Sequence, residues 1–259
     1  MCEYTSVIAI SLQSGSNGNC IYVETNGVRL LFDAGISGIR AASRLEAYGR
    51  DIRKVDALII SHDHADHISY AGVYQRKYGL PIYITPRTLF KAESENKLGK
   101  LTNITNFRAG EKLQFGQVSV QTIPTPHDGI DGAAFIISSG GKKLGILTDL
   151  GHVFKELLAV ISSLDAVFIE SNYDPVMLSS GPYPDFLKKR IQGPKGHLSN
   201  VESAELLQAG TKLKWACLAH LSEKNNNPHV ALKTHFEIVG RSFSFYAASR
   251  YMSSGILTI

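Results

Sequence analysis

The residues best suited to chemistry in this chain are the histidines and acids of one short run, Ser61-His62-Asp63-His64-Ala65-Asp66-His67. The run directly follows Ala57–Ile60, an apolar segment that predicts a strand buried on both faces. Imidazole nitrogens and carboxylate oxygens are the ligands that zinc and other divalent metal ions take in proteins. His62 and His64 can point the same way from an extended segment, and Asp66 and His67 fall on the next turn. The run therefore predicts a metal site, with a polar loop of hydrogen-bonded histidines as the alternative.

Three further candidate ligands stand where other predicted strands end. They are His127 after Val118–Ile123, Asp149 after Leu144–Leu147 and His220 after Ala216–Leu218. Each alone has an ordinary explanation, such as a turn aspartate or a histidine bonded to the backbone. Together they repeat one arrangement, and loops at strand ends are where layered α/β proteins build their sites.

The elements that must position these side chains are many short strands with helices between them. Asn26-Gly27, between the apolar runs Cys20–Glu24 and Val28–Phe32, predicts a hairpin. Further strands are predicted at Val7–Leu12, Ile82–Ile84, Leu113–Phe115, Ala134–Ile137, Ala166–Ile169 and in the last residues. Helices are predicted at Gly38–Tyr48, Tyr70–Tyr78, Pro86–Glu95, Val153–Ile161, Pro184–Ile191, Asn200–Gln208 and Pro228–Val239. This mixture predicts two sheets with helices outside them, a layered α/β sandwich.

Length and composition predict a single domain over residues 1–259. Hydrophobic residues make up 44% of the chain and charged residues 19%, which argues against disorder. Cys2, Cys20 and Cys217 are too scattered for a disulfide framework, so we expect reduced, buried thiols. No segment reaches the roughly 18 apolar residues of a membrane span. The first residues lack a signal-peptide pattern, so we expect a cytoplasmic protein.

The net charge of +4 arises from one part of the chain. Residues 181–235 hold eight lysines and arginines against four acids, while the rest of the chain balances at 19 against 19. A basic patch attracts polyanions such as nucleic acid. The alternative is a solvated, lysine-rich face.

The histidine run, followed by His127, Asp149 and His220, resembles the metallo-β-lactamase-fold hydrolases. Within that superfamily, four other stretches resemble the YycJ/WalJ group of bacterial nucleases. These stretches are residues 14–20 (SGSNGNC), 170–174 (ESNYD), 195–200 (KGHLSN) and 220–226 (HLSEKNN). The resemblance covers nearly the whole chain, and it implies a four-layer αββα sandwich with a dinuclear metal site on its edge.

The resemblance also implies a role for each candidate ligand. His62, His64 and His127 would hold one metal, Asp66, His67 and His220 the other, and Asp149 would bridge both. Asp66 counts among the catalytic residues as well. Two adjacent cations lower the pKa of a shared water and clamp both oxygens of a displacement. Without thiolates, the site would take Zn²⁺ or Mn²⁺.

His197 has no ligand role left in this scheme. In related phosphodiesterases a histidine in such a loop protonates the leaving oxygen, which the pKa of imidazole suits. The alternative is a histidine that is bonded to backbone at a helix start. Lys188, Lys189, Arg190 and Lys195 would hold the phosphate backbone. Asp33, at a strand end, is predicted either to orient a ligand histidine or to cap a turn.

Three functions remain to be compared. The first is a metal-dependent phosphodiesterase, a 5′-to-3′ DNA exonuclease that uses a metal-bridging hydroxide. The second is a hydrolase of a small ester, thioester or lactam on the same fold. The third is a metal-binding scaffold without catalysis, against which the complete ligand set argues. The oligomeric state stays open.

Overall fold

The structure is a computed structural model that describes residues 6–95 and 98–259. Two seven-stranded sheets form its centre. The first sheet has the order β14-β1-β2-β3-β4-β5-β6. Its strands are β1 (Ile8–Gln13), β2 (Cys20–Thr25), β3 (Val28–Phe32), β4 (Ala57–Ile59), β5 (Ile82–Ile84), β6 (Ile104–Asn106) and β14 (Leu257–Thr258). Pairing is antiparallel from β14 to β3 and parallel from β3 to β6.

The second sheet repeats this plan in the order β13-β12-β11-β10-β9-β8-β7. Its strands are β7 (Lys112–Phe115), β8 (Val118–Pro124), β9 (Ala133–Ser139), β10 (Lys142–Leu147), β11 (Ala166–Glu170), β12 (Trp215–Ala219) and β13 (Ser244–Ala247). Pairing is antiparallel from β7 to β10 and parallel from β10 to β13. The parallel strands of each sheet direct their carboxyl ends to one edge, where a site can form.

Helices cover both outer faces. Those of the first half of the chain are α1 (Gly38–Glu46), α2 (Ala65–Ile68), α3 (Ala71–Tyr78) and α4 (Pro86–Ser94), with a 3-10 turn at Ile52–Lys54. Those of the second half are α5 (Lys155–Ser163), α6 (Pro175–Ser180), α7 (Asp185–Gln192), α8 (Asn200–Leu207) and α9 (Pro228–Val239). In the part of the chain that the structure describes, no helix is long and apolar enough to cross a membrane.

Alternation along the strands divides the core into three apolar layers. On β3, Leu30 and Phe32 pack between the sheets, while Leu31 packs under the helices of the first sheet. On β11, Phe168 points between the sheets and Ile169 toward the outer helices. Strands buried on both faces need apolar residues at every position, which is why they read as continuous apolar runs. The four-layer αββα sandwich predicted from the sequence is confirmed.

The observed elements agree with most of the predicted ones, with some differences at their ends. Asn26 and Gly27 have φ of 49° and 73°, as the predicted hairpin turn requires. The helix predicted from Val153 begins at Lys155. The strand β6 and the helix α6 were not predicted, because each is too short to show a period. Asp174 starts α6 by accepting the Met177 N–H at 2.8 Å.

The cysteine prediction holds for the described residues. Cys20 and Cys217 are free, buried thiols, and burial raises the pKa of Cys20 to about 12. Cys2 lies outside the described residues.

His235 on α9 generates a prediction about stability. Its Nδ1 lies 2.8 Å from the Ala231 carbonyl and its Nε2 3.2 Å from Ser203 Oγ on α8. Burial lowers the pKa of this imidazole from 6.5 to about 4, so the ring is neutral in the folded protein. An unfolded chain takes up the proton at higher pH, so the stability present above pH 6.5 is lost as pH falls toward 4.

We expect this one residue to account for a loss of up to about 3 kcal/mol over that range. The measurement is urea unfolding of wild type and His235→Gln at a series of pH values. The advantage of the wild type should shrink as the solution becomes more acidic. Parallel pH profiles for the two proteins would contradict the prediction.

Candidate active site

The candidate active site lies where the strands of both sheets end. Asp33 follows β3, and the histidine run follows β4. The second sheet contributes His127 after β8, Asp149 after β10 and His220 after β12. The structure thus brings all seven predicted ligands to one edge of the sandwich.

Three of these strand-end residues have a left-handed backbone. Asp33, Asp149 and His220 have φ of 64°, 55° and 55°. Side chains other than glycine rarely adopt this conformation, and Asp and Asn tolerate it better than most. The turn reverses the chain at the end of the strand, so the strained backbone is part of how these side chains reach the site.

The first cluster consists of His62, His64 and His127, whose ligand atoms lie within 4.8 Å of one another. His64 Nδ1 lies 3.3 Å from His127 Nε2. Ser61 Oγ lies 2.9 Å from His62 Nδ1. Burial, and then the neighbouring imidazoles, hold the pKa of His62 well below its usual value. The ring is therefore neutral, the form that binds a metal.

The second cluster consists of Asp66, His67 and His220. Asp66 Oδ2 lies 3.2 Å from His220 Nε2 and 3.5 Å from His67 Nε2. Asp33 Oδ2 lies 2.7 Å from the other ring nitrogen of His67, and Asp33 Oδ1 accepts the Ser61 N–H at 2.8 Å. Of the two roles predicted for Asp33, the geometry therefore selects the orientation of a histidine.

Electrostatics in the second cluster fit a divalent cation. Burial lowers the pKa of His67, but Asp149 and Asp33 outweigh it and hold that pKa well above the usual value. Burial raises the pKa of Asp66, but His67 and His220 outweigh it and hold that pKa well below the usual value. Buried carboxylates are thus balanced here only by protonated imidazoles, which a divalent metal would replace.

Asp149 lies between the two clusters. Its Oδ2 lies 3.2 Å from His67 Nε2, and its Oδ1 lies 3.7 Å from His127 Nε2. Among the described residues, His62 Nε2 is a buried atom without a hydrogen-bond partner, and Asp149 Oδ2 forms no hydrogen bond beyond its ion-pair contact with His67. A buried polar atom without a partner destabilises the folded protein unless a bound group that is not part of the chain interacts with it. The donor set and these atoms fit divalent metal ions.

Glycine and asparagine residues hold the histidine run in place. The Asn19 N–H donates to the Asp66 carbonyl at 2.7 Å, and the Ala34 N–H donates to the His67 carbonyl at 2.7 Å. A Cβ on Gly35 would lie 1.7 Å from the Asp66 carbonyl oxygen, so only glycine fits. In the loop of residues 14–19, Ser14 Oγ also accepts the His220 N–H at 2.8 Å. This loop therefore supports ligands from both sheets.

His197 borders the clusters and has a carboxylate partner, Glu170, to which the sequence analysis gave no role. Glu170 ends β11 and is fully buried; its Oε1 lies 2.6 Å from His197 Nδ1. Its Oε2 accepts the N–H groups of Leu150 at 3.0 Å and Leu198 at 3.3 Å. Burial raises the pKa of Glu170, but His197 outweighs it and holds that pKa far below its usual value. The signal in the sequence was an acid ending an otherwise apolar strand.

A cleft of about 450 Å³ opens over these groups. Its lining includes Ser16, Asp63, His64, Asp66, Glu95, Asp149, Arg190, His197 and His220. Of the predicted phosphate-holding cations, Arg190 reaches the cleft, where its Nε donates to Asp128 Oδ2 at 2.7 Å. Lys188 instead donates to the Ser179 carbonyl at 2.7 Å, away from the lining.

Comparison with known proteins adds to this geometry. A family model described as a beta-lactamase superfamily domain matches residues 28–220. The exodeoxyribonuclease WalJ of Streptococcus pneumoniae is 36% identical over 227 residues, covering 86% of this chain and 84% of that protein. The exodeoxyribonuclease YycJ of Bacillus anthracis is 35% identical over 225 residues, covering 85% and 84%.

A solved structure agrees on the fold. The metallo-β-lactamase fold protein YhfI from Bacillus subtilis superposes with a TM-score of 0.75 at 18% identity, over 98% of this chain and all of that one. The resemblance inferred from the motifs is thereby confirmed. The chain belongs to the metallo-β-lactamase-fold hydrolases of the β-lactamase superfamily and, within them, to the WalJ/YycJ group.

Proposed function

We propose that this chain is a dinuclear metal-dependent phosphodiesterase that degrades DNA from the 5′ end. The observation that carries the proposal is the pair of ligand clusters joined by Asp149, with the Glu170–His197 pair at their side. The names of the WalJ and YycJ relatives support a DNA substrate. A nucleic-acid substrate also agrees with the expected cytoplasmic location.

In this proposal the seven ligands hold two divalent ions. His62, His64 and His127 would hold one, Asp66, His67 and His220 would hold the other, and Asp149 would contribute to both. The nitrogen and oxygen donors suit Zn²⁺ or Mn²⁺. When bound, two such ions supply an activated water and neutralise charge on the phosphate.

The chain's own residues then handle the leaving group. Glu170 fixes the proton-bearing side of His197 at Nδ1, which leaves Nε2 as the nitrogen that can protonate the departing oxygen. The same contact with the Glu170 carboxylate holds the ring in one orientation, as positioning a general acid requires. Arg190 on the cleft wall supplies a guanidinium for the substrate phosphates.

The competing hypothesis is a hydrolase of a small ester, thioester or lactam. It shares the metal site and differs in the substrate. The basic residues of the segment after β11 favour a polyanion, because that segment, residues 171–197, holds four bases against two acids.

The first prediction concerns the metals. Asp149→Asn should lower the content of both ions and abolish most of the activity, because a neutral amide cannot balance two cations. Asparagine tolerates the left-handed backbone, so strain is not a confounding effect. The matched control is Asp131→Asn, another left-handed aspartate, whose carboxylate pairs with Arg87 at 2.9 Å. The measurement is the metal content per chain by elemental analysis, together with activity. Two ions per chain and full activity in Asp149→Asn would refute the shared-ligand role.

The second prediction concerns the Glu170–His197 pair. His197→Ala should keep its metals and lose about 10²- to 10⁴-fold in turnover of DNA. The deficit should shrink on a nitrophenyl phosphodiester, whose leaving group needs little protonation. Glu170→Gln should also keep its metals and lower turnover of DNA, because His197 then loses the charged acceptor that orients its ring. Loss of metal from His197→Ala, or equal deficits on both substrates, would reject the general-acid role.

The third prediction concerns the substrate and its polarity. With Mn²⁺ or Zn²⁺, oligonucleotides labelled at the 5′ end should release short labelled products at once, while 3′-labelled ones should shorten gradually. Single-stranded and duplex DNA and RNA are compared under the same conditions, with Asp149→Asn as the inactive control. Internal cleavage would exclude an exonuclease. Turnover of a lactam or thioester without any cleavage of nucleic acid would favour the competing hypothesis.

A further inference from the structure

Two phenylalanines of this protein are almost fully exposed. Phe186 on α7 is 74% exposed, and Phe90 on α4 is 75% exposed. A single apolar side chain on a surface is ordinary, so exposure alone carries no conclusion. The two rings differ, however, in where they lie relative to the cleft and in the charges of the residues around them.

Phe186 lies in a segment that is anchored at the candidate active site. Residues 171–197 leave β11 after Glu170 and return at His197. The Asn172 N–H donates to the Leu198 carbonyl at 2.9 Å, and the Asn200 N–H donates to the Tyr173 carbonyl at 2.8 Å. Within the segment, α6 and α7 pack on a small apolar cluster of their own. The helix α7 is therefore held as a fixed part of the cleft rim.

The orientation of α7 places Phe186 on the same helix face as Arg190, a residue of the cleft lining. Ile191 and Leu187 belong to the inward face and pack on the apolar cluster. Phe186 and Arg190 are four residues apart, so they are neighbours on the outward face, with Cβ atoms about 6 Å apart. Arg190 lines the cleft and donates to Asp128, the residue after the ligand His127. The exposed Phe186 ring thus lies one helical turn from a cation of the cleft lining.

Charge distinguishes Phe186 from Phe90. The segment 171–197 has four bases and two acids, a net charge of +2. Around Phe90, Arg87 pairs with Asp131 at 2.9 Å, and Lys91 pairs with Glu95 at 2.5 Å. Glu93 adds a further acid on that helix. Arg190 likewise pairs with Asp128 at 2.7 Å, which still leaves the α7 segment an excess of one base, whereas the charges named around Phe90 leave an excess of one acid. Of these two surroundings, the one at Phe186 is therefore the better suited to a polyanion.

We propose that Phe186 is a stacking platform for a nucleobase of a single-stranded DNA substrate whose phosphate backbone Arg190 contacts. This inference rests on the proposed nuclease function, and it specifies where the DNA strand enters the site. Single-strand binding proteins combine basic grooves with aromatic side chains, because every base has a face that can stack. A base inside a duplex is already stacked, so the platform favours unpaired ends.

The experiment measures binding of metal-loaded protein to 5′-phosphorylated oligothymidylate with phosphorothioate linkages at the 5′ end, which slow hydrolysis. Phe186→Ala should weaken binding about 5- to 100-fold, the usual effect of losing one stacked base. The slope of log affinity against log salt should stay unchanged, because no charge is lost. Arg190→Gln should instead reduce that slope by about one. Phe186→Trp should restore affinity, whereas Phe186→Leu, which keeps apolar bulk, should not.

An abasic scan identifies the base. Removing one base at a time should weaken wild-type binding at one position near the 5′ end, and Phe186→Ala should be insensitive at that position. The matched control is Phe90→Ala, which removes an equally exposed ring and should keep affinity within about twofold. Thermal unfolding checks that all variants are folded.

The outcomes separate the two proposals. If wild type neither binds nor cleaves DNA, the proposed function fails. If wild type binds and cleaves DNA but Phe186→Ala binds equally well, the stacking platform is wrong and the function stands. An equal loss in Phe90→Ala, or full affinity in Phe186→Leu, would also overturn the platform.

Discussion

The packing of the two sheets against each other is the constraint on which the candidate active site depends. The histidine run belongs to the first sheet, while His127, Asp149 and His220 belong to the second. Each cluster takes two residues from the first sheet and one from the second, so a shift of one sheet against the other would pull both clusters apart. Phe32 on β3 and Phe135 on β9, with ring centroids 5.0 Å apart, fix the interface just beneath the site. Close packing in such a layer resists small displacements.

Backbone contacts at the edge reinforce this registration. The Ala133 N–H of the second sheet donates to the Ser61 carbonyl of the first at 3.2 Å, and the Ile130 N–H donates to Asp63 Oδ1 at 2.7 Å. Gly129 packs directly on the His62 ring, where a Cβ would lie 2.3 Å from the ring carbon Cδ2. The loop that carries His127 therefore also locks the histidine run, so the position of either ligand depends on the other.

Sequence alone predicts the parts of this site that depend on local pattern. The spacing of the histidine run, and polar residues directly after apolar strands, are visible in one dimension. Those patterns pointed to the seven predicted ligands, which the structure brings to one edge together with Glu170 and His197. The four-layer fold followed from strands that are apolar on both faces, together with the family resemblance.

Features that arise from distant contacts could not be predicted. In the sequence, Glu170 is only the last residue of a predicted strand. Its contact with His197, 27 residues later, exists only in the folded protein. The split between Arg190, which reaches the cleft, and Lys188, which bonds to Ser179, depends on the angle at which α7 packs. The order of strands in each sheet also depends on crossovers that a linear pattern does not specify.

The segment between Glu170 and His197 has a consequence for how this protein could diversify. Its two ends are joined by backbone hydrogen bonds beside the site, and its interior packs mainly on itself. Its outer residues can therefore be exchanged, or the segment lengthened, without moving the pair that closes it. Loop closure penalises added length only weakly. The segment is tied to the predicted ligands through the Gly196 carbonyl, 2.9 Å from His127 Nδ1. Its outer face can therefore change while that contact, and the cluster it supports, are kept.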